Sequence, residues 1–432
     1  MNHHRFGQYL RACRLAIVCA AFASFASAQY DLLLKGGHVI DPRNSINAPR
    51  DVAIKDGRIA AVSENIPAAR ARQTLDVSGL YVTPGLIDLH VHVFYTAGNP
   101  RAWAGELSVQ PDAHSFRSGV TTMVDAGSSG WKNFELFRTT VIDRARTRVL
   151  ALINIAGFGM ISDLTEQGDF DAKEVARLAQ KHKDVVVGVK SAHYQLPDWE
   201  SVDQAVAAGN AADIPVMVDF GHFLPERPFY ELVLKRLRPG DMPTHCFRGP
   251  VPWVDENGKL YDYLRQARER GVKFDVGHGG GSFVFRNAVP AIEQGFYPDS
   301  ISSDLHTGSM TGAMMDMAQL NSKFLAMGMP LNEVIKASTW NPAQQIKRTD
   351  LGHLSAGAVA DIAVFQLMEG DFAYRDAPNG QLSGKQRLFC ELTLSGGRVT
   401  WDWNSRRGRD YRELSPTYGA RPGVDHIIPP PK

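Results

Sequence analysis

The middle of the chain holds eight short apolar runs, and they restrict its fold more than any other feature. The runs span residues 86–92, 120–126, 149–155, 185–190, 215–219, 242–246, 272–277 and 300–304. Several are rich in valine and isoleucine without polar alternation, which is typical of strands buried on both faces of a parallel sheet. Residues 172–182, 199–212 and 261–271 carry apolar side chains at three- and four-residue spacing, which predicts intervening helices. Together these patterns predict an α/β fold, a (β/α)8 TIM barrel, with a doubly wound sheet as the alternative.

The two ends of the chain predict a separate structure made of short strands. Asp56-Gly57 lies between two apolar runs, which predicts a β-hairpin, and Gly396-Gly397 predicts another. We expect both ends to build one small β-sandwich. The predicted domains are a sandwich half at 29–84, the barrel at 85–344, the second sandwich half at 345–405 and an irregular, proline-rich tail at 406–432.

Residues 1–28 have the features of a secretory signal peptide. Three arginines precede the apolar residues 15–25, and Ala26-Ser27-Ala28 follows them. We expect cleavage after Ala28 and export to the periplasm or the exterior. An N-terminal membrane anchor is the alternative, but the apolar run is short for a bilayer span.

Charge and cysteine content exclude several classes of protein. Without residues 1–28 the chain keeps 44 basic against 46 acidic residues. This balance gives no electrostatic reason to bind nucleic acid or a membrane surface. Cys246 and Cys390 remain in the mature chain, too few for a disulfide framework. We therefore expect a core-stabilised protein with a small-molecule substrate, and the sequence leaves open whether it forms a homo-oligomer.

The first apolar run ends in a His-x-His pair, His90 and His92. Residues two apart in a strand point to the same side, so both imidazoles face one point, as a metal ion requires. Two histidines alone are weak evidence, and surface or capping histidines are the alternative.

Polar residues also stand at the ends of five later runs. In a barrel the chemistry lies at the carboxyl ends of the strands, where these side chains would meet. They are Lys190, Asp219 with His222 three residues later, His245, His278 and Asp304. The set predicts a metal-containing site at one mouth of the barrel.

The motifs around these residues carry a family resemblance. Pro-Gly-Leu-Ile-Asp-Leu-His-Val-His92 resembles the opening signature of the amidohydrolase superfamily, and Gly352-His-Leu-Ser-Ala-Gly-Ala-Val-Ala-Asp361 resembles its return into the sandwich. The motifs Val-Gly-Val-Lys190, Thr-His245-Cys-Phe, Asp-Val-Gly-His278-Gly-Gly and Ser-Ser-Asp304-Leu-His are similar to those of its deacetylase and dihydroorotase-like branch. The resemblance covers essentially the whole mature chain.

The resemblance implies a centre of two divalent metal ions, with Zn²⁺ expected. His90, His92 and Asp304 would hold one ion, and His245 would help to hold the second. Lys190 would be carboxylated, and its carbamate would bridge both ions. Burial would lower the pKa of the lysine and favour the neutral amine that reacts with carbon dioxide. A solvated lysine at a strand end is the alternative.

The fifth strand departs from the family pattern. Asp219 stands where the family usually has a histidine, and a carboxylate is an acceptable zinc ligand. His222 could instead curl back to the ion, or the site could hold a single metal. These alternatives leave the identity and affinity of the second ion open.

The expected roles follow from proton chemistry. Asp304 would bind metal, take a proton from a water activated between the ions and pass it to the leaving group. His278 would donate to the substrate or orient its loop, and a core histidine is the alternative. The candidates for substrate binding, with ordinary surface groups as the alternative, are His193, Arg248, Gly279 and His306. The residues expected to be structural or on the surface are His114, His182, His353 and His426.

These expectations favour a metal-dependent hydrolase of an amide or ester that removes an acyl group from a small, carboxylate-bearing molecule. A cyclic-amide hydrolase of the dihydroorotase type is the second hypothesis, although export argues against a biosynthetic role that needs cytosolic metabolites. The third is a non-catalytic barrel scaffold, whose expected mark would be the loss of metal ligands.

Overall fold

The computed structural model describes residues 28–94, 107–160 and 169–426. Apart from Ala28, the predicted signal peptide lies outside the described residues, as do residues 427–432 of the predicted tail. Residues 406–426 of that tail contain one short helical turn, Tyr411–Glu413, and are largely exposed.

Fourteen strands occur in the described part of the chain. In chain order they are β1 (Tyr30–Asp41), β2 (Ile46–Lys55), β3 (Arg58–Ser63), β4 (Ala71–Asp76), β5 (Tyr81–Pro84), β6 (Leu86–Val91), β7 (Val120–Gly130), β8 (Arg148–Asn154), β9 (Val186–Ala192), β10 (Val216–Asp219), β11 (Met242–Pro243), β12 (Ile362–Arg375), β13 (Gln381–Ser395) and β14 (Arg398–Asp402).

The α-helices lie mostly between the strands of the central sheet and after them. They are α1 (Pro111–His114), α2 (Phe134–Phe137), α3 (Ala172–Lys181), α4 (Glu200–Ala212), α5 (Phe229–Glu231), α6 (Asp262–Glu269), α7 (Phe285–Glu293), α8 (Met317–Ala326), α9 (Leu331–Ser338) and α10 (Trp340–Gln345). The three helices predicted from apolar spacing are confirmed as α3, α4 and α6. Within the described residues, no helix has the length and apolarity that a membrane crossing would require.

Helix α3 shows how the local sequence sets these elements. Asp171 precedes it, and its carboxylate accepts hydrogen bonds from the backbone N–H groups of Lys173 and Glu174, which caps the first turn. Val175 and Leu178, three residues apart, are buried on the face that packs on the sheet.

Strands β6 to β11 form one parallel sheet whose strands follow each other in chain order. A doubly wound sheet reverses its strand order at a switch point, and this sheet has no such reversal. The sequence prediction of consecutive parallel strands is therefore confirmed for the first six runs, and the doubly wound alternative is not supported.

The last two predicted strands, 272–277 and 300–304, are extended segments rather than regular strands. Asp275 makes a parallel bridge to Ser300, and Val91 makes one to Leu305. Backbone bonds join the segments, such as Val276 N–H to the Ser300 carbonyl, but the Gly277 N–H donates to the Ser302 hydroxyl at 2.8 Å, which interrupts the regular pattern. The prediction of strands is thus confirmed only in part for these two segments, which run alongside the sheet without forming regular strands.

Strands from both ends of the chain combine in a second sheet with the order β14-β13-β12-β5-β1-β2-β3, and β4 pairs with β1. Its core includes Leu34, Val52, Ile362 and Leu394. The β2–β3 and β13–β14 hairpins form where Asp-Gly and Gly-Gly predicted them. The residue boundaries of the predicted domains stay predictions.

Candidate metal centre

His90 and His92 meet Asp304 at the carboxyl edge of the parallel sheet. The Oδ1 atom of Asp304 lies 3.5 Å from His90 Nε2 and 3.1 Å from His92 Nε2. Among the described residues, these three form the one group of three whose ligand atoms all lie within 4.8 Å of one another. All three side chains are buried, so His90 and His92 are not the surface or capping histidines of the alternative interpretation.

A hydrogen-bond chain fixes the orientation of His90. Its Nδ1 lies 2.9 Å from Thr244 Oγ1, and that hydroxyl donates to Asp275 Oδ2 at 2.7 Å. Because the hydroxyl hydrogen is used on Asp275, the network assigns the imidazole hydrogen to Nδ1. The Nε2 lone pair of His90 therefore points at Asp304.

His92 is held in the same way. Its Nδ1 lies 3.0 Å from Ser128 Oγ, and Asp125 accepts hydrogen bonds from the backbone N–H groups of Ser128 and Val93. The buried carboxylate of Asp125 thus orients Ser128, as Asp275 orients Thr244 on the other side. Both histidines have the outer-sphere partners that metal-binding imidazoles usually have.

Lys190 lies on β9 and is completely buried, so the alternative of a solvated lysine is wrong. Its Nζ lies 3.2 Å from His90 Nε2 and 3.6 Å from Met217 Sδ. The burial and the approach to His90 place the amine beside the group of three.

Asp219 and His245 form a second meeting point. Asp219 ends β10, His245 follows β11, and Asp219 Oδ2 lies 3.2 Å from His245 Nε2. The Nδ1 of His245 donates to the Gly277 carbonyl at 2.5 Å, so Nε2 of the neutral ring carries a lone pair. Two acceptors that face each other at this distance need a cation between them, either a proton or a metal ion.

The second carboxylate oxygen of Asp219, Oδ1, is further evidence for a metal ion at this point. Oδ1 is buried and accepts no hydrogen bond in the described part of the chain. A buried carboxylate oxygen without a partner is costly unless a cation satisfies it. The residues present therefore fit a metal ion at this point. His222, the alternative ligand, is only half-buried and lines the cavity outside this contact.

The charges agree with this geometry. Burial alone would raise the pKa of Asp304, but His90 and His92 lower it overall. Likewise, His245 and His193 outweigh burial and hold the pKa of Asp219 well below its usual range. Burial and the Lys190 charge lower the pKa of His90, which keeps its imidazole neutral. The group of three thus combines an ionised carboxylate with a neutral His90 imidazole, the protonation states that cation binding needs. At the second meeting point Asp219 outweighs burial and raises the pKa of His245, so a metal ion there would displace a proton.

His278 lies outside the cavity, contrary to a role in donating to a substrate. It is completely buried and stacks on Phe283 at 4.5 Å. Its Nδ1 donates to the Gly279 carbonyl at 2.9 Å, and its Nε2 accepts from Lys323 Nζ at 2.6 Å. The position is that of a core histidine held by the backbone, which was the alternative to a role in the reaction.

Lys323 was missed by the sequence analysis. It lies on α8, is completely buried and also donates to the carbonyls of Ala313 and Arg375. Burial lowers its pKa to about 7. No local pattern marks it, because its partners come from three distant segments.

A cavity of 580 Å³ opens over the metal-binding residues. Of the predicted substrate-binding residues, His193, Arg248 and His306 line it. Gly279 instead packs beneath it, with a positive φ of 53°, and a Cβ there would lie 2.2 Å from Asp304 Oδ2. The histidines predicted to be structural or on the surface, His114, His182, His353 and His426, do not line this cavity.

Asp88, Thr244 and Asp275 lie in the sequence motifs of the site and support its predicted ligands. Asp88 accepts hydrogen bonds from the backbone N–H and hydroxyl of Ser303 at 2.9 and 2.5 Å, and burial raises its pKa to about 7. It thereby holds the segment that ends in Asp304. Thr244 is next to the predicted ligand His245, and Asp275 is three residues before the predicted catalytic residue His278, and this proximity was the available signal.

Thr244→Val is expected to weaken metal binding by about 10- to 100-fold, because it keeps the side-chain shape but removes the acceptor for His90 Nδ1–H. Competition with a chelator measures the effect. Thr393→Val is the matched control, since Thr393, in β13 of the second sheet, is equally buried but donates to the Phe116 carbonyl away from the site. Equal metal affinity in both variants would contradict the orienting role of Thr244.

Comparison with known proteins gives the class of this site. The amidohydrolase family profile matches residues 284–389. A deacetylase of Brucella anthropi is 34% identical, over 79% of this chain and 85% of that protein. The crystal structure of an adenine deaminase superposes with a TM-score of 0.77 at 30% identity, covering 86% of this chain and 100% of that one. The crystal structure of a dihydroorotase superposes with a TM-score of 0.74 at 30% identity, covering 85% of this chain and 98% of that one.

The fold and the site thus define a hydrolase of carbon–nitrogen bonds. The chain belongs to the amidohydrolase family. This membership favours an enzyme over the non-catalytic scaffold.

Proposed function

We propose that the chain is a metal-dependent hydrolase that removes an acyl group from a small, carboxylate-bearing amide or ester. The observation that carries the proposal is the orientation of His90, His92 and His245. Each turns Nδ1 toward a fixed partner and Nε2 toward the carboxylate of Asp304 or Asp219. Amide hydrolysis by such a site agrees with the deacetylase named among its relatives.

The donor set favours two divalent ions, with Zn²⁺ as the expected metal. His90, His92 and Asp304 would hold one ion, and Asp219 with His245 would hold the second. A carboxylated Lys190 would lie between them. Bound ions would supply a Lewis acid and lower the pKa of water.

The chain's own residues provide proton transfer and substrate orientation. Asp304 is ionised at neutral pH, which allows it to accept a proton and return it to the leaving group. Arg248 and His306 line the cavity and would bind the substrate carboxylate. The Arg248 guanidinium is positioned by the Phe223 ring, 5.6 Å from its centroid.

The sheet around the site would complete a (β/α)8 barrel. Support comes from backbone hydrogen bonds that continue past β11: Asp275 N–H to the Pro243 carbonyl, Val276 N–H to the Ser300 carbonyl and His92 N–H to the Leu305 carbonyl. These bonds run from each segment to the next and return to β6.

A substrate screen tests the proposed function. The mature protein, loaded with Zn²⁺, is assayed against N-acyl amino acids, acyl hydroxy acids and cyclic amides, with chelator-treated protein as the control. Metal-dependent release of an acyl group is expected. Activity confined to cyclic amides would favour the second hypothesis, a hydrolase resembling the dihydroorotase. Activity that survives complete metal removal would contradict the proposal.

Export is proposed from the sequence of residues 1–28. Cleavage after Ala28 would give a mature N-terminus at Gln29, immediately before β1. N-terminal sequencing of the protein from its native source checks this expectation. A native chain beginning at Met1 would exclude cleavage.

A further inference from the structure

Two imidazoles, of His193 and His245, meet the carboxylate of Asp219, the residue that stands where the family usually has a histidine. Asp219 Oδ2 lies 3.0 Å from His193 Nε2 and 3.2 Å from His245 Nε2. His193 follows the lysine-bearing strand β9 by one residue, and its side chain is 20% exposed at the cavity wall. One carboxylate oxygen therefore faces two imidazoles from neighbouring strands.

We propose that His193 is a positioning residue for the second metal ion, acting through Asp219. His193 donates its Nε2–H to Asp219 Oδ2, which orients the carboxylate and leaves Oδ1, which accepts no hydrogen bond from the described residues, available to the ion. The inference rests on the proposed function, because it takes Asp219 and His245 as the pair that holds the second ion. It replaces the sequence-based assignment of His193 to substrate binding.

The backbone is built to bring His193 to this place. His193 has a φ of 55°, in the left-handed region that a residue with a Cβ rarely adopts. Such strained conformations persist where the surrounding structure requires them, and they concentrate at functional sites. His245 and Asp304, two of the predicted ligands, share this conformation with φ values of 54° and 50°.

Gly221 provides the space for the histidine. A Cβ at this position would lie 2.6 Å from His193 Cδ2 and 2.8 Å from His193 Cα. The second contact involves backbone, so a side chain at 221 would displace the whole residue. Gly221 therefore makes the contact between His193 and Asp219 sterically feasible.

The geometry separates positioning from direct ligation. His193, Asp219 and His245 do not form a group whose ligand atoms all lie within 4.8 Å of one another, unlike His90, His92 and Asp304 in the described residues. Both Nε2 atoms contact the same carboxylate oxygen, His193 at 3.0 Å and His245 at 3.2 Å. The three residues are therefore not spaced to share one ion as ligands, and His193 suits an outer-sphere partner of the Asp219 carboxylate.

The experiment measures metal binding rather than turnover. The mature protein and its variants are loaded with Co²⁺, and the affinity of each ion is obtained by chelator competition monitored through the visible absorption of the bound ion. His193→Ala is expected to weaken one of two ions by about 10- to 100-fold and leave the other unchanged. Gly221→Ala is expected to give the same result without removing any polar group.

Two further variants identify the mechanism. His193→Gln keeps an N–H donor at a similar reach and is expected to restore the affinity to within a few-fold of wild type. His222→Ala is the matched control, because His222 also lines the cavity, and it should retain both ions. Asp219→Ala should lose the second ion completely.

The outcomes distinguish this inference from the proposed function. Wild-type affinity for both ions in His193→Ala would overturn the positioning role alone. Complete loss of one ion in His193→Ala, without recovery in His193→Gln, would make His193 a direct ligand and also overturn it. A wild-type protein that binds no second ion, or an Asp219→Ala variant that keeps both, would overturn the two-ion assignment together with this inference.

Discussion

Lys190→Ala is expected to lose bound metal and activity together. A buried ammonium cannot ligate a cation, whereas a carbamate on the same nitrogen offers two anionic oxygens. Lys190 is fully buried and its Nζ lies 3.2 Å from His90 Nε2, which places this nitrogen beside the predicted metal ligands. Burial also favours the neutral amine that reacts with carbon dioxide.

Metal analysis and mass spectrometry of the intact protein check this expectation. The wild type should carry one added carbon dioxide and close to two ions. Bicarbonate with a short carboxylic acid should restore part of the activity of Lys190→Ala, because the free acid can occupy the space of the carbamate. Lys323→Met is the matched control, since Lys323 is equally buried but contacts His278 rather than the metal residues. Full activity in Lys190→Ala would exclude the bridging role.

Asp304→Asn is expected to keep most of its metal while kcat falls by at least about 10²-fold. Asparagine retains an oxygen near His90 and His92 but cannot accept a proton. The lowered pKa of Asp304 means that the wild-type carboxylate is ionised at neutral pH and becomes protonated only on acidification. The acidic limb of the pH–rate profile that depends on this carboxylate should therefore disappear in the variant.

Measuring metal content and kcat on the same sample separates the two roles of Asp304. A variant that holds its metal and turns over within a few-fold of wild type would remove Asp304 from proton transfer. His278 could not easily replace it, because Lys323 and the Gly279 carbonyl occupy both ring nitrogens. A carbamate oxygen on Lys190 would then be the remaining candidate.

The elements that sequence predicts well are those set by local periodicity. Alternation along β6 places His90 and His92 on one side, and apolar runs locate the first six parallel strands. The segments 272–277 and 300–304 were predicted as strands together with these six. Their hydrogen bonds to Asp275 and Ser302 side chains depend on tertiary contacts that periodicity does not encode.

In the candidate site, too, the residues set by local sequence were predicted and those set by tertiary contacts were not. Asp219 and His245 were identified from their positions at strand ends, yet nothing in the sequence indicated that His193 would face Asp219. His278 was assigned to the reaction because its motif follows a strand. Its burial against Lys323 depends on a helix more than forty residues later, and a single sequence does not reveal such a contact.

The pairing of β5 with β12 has a consequence for biosynthesis. The first five strands of the second sheet leave the ribosome early, but their neighbour β12 begins only at Ile362. Until that residue emerges, β5 exposes an unpaired edge, which is a surface prone to aggregation. Forming this pairing joins residues 278 to 284 positions apart, from Ile362 with Pro84 to Phe365 with Tyr81, and such distant contacts slow folding. The second sheet is therefore complete only after β12 has been synthesised.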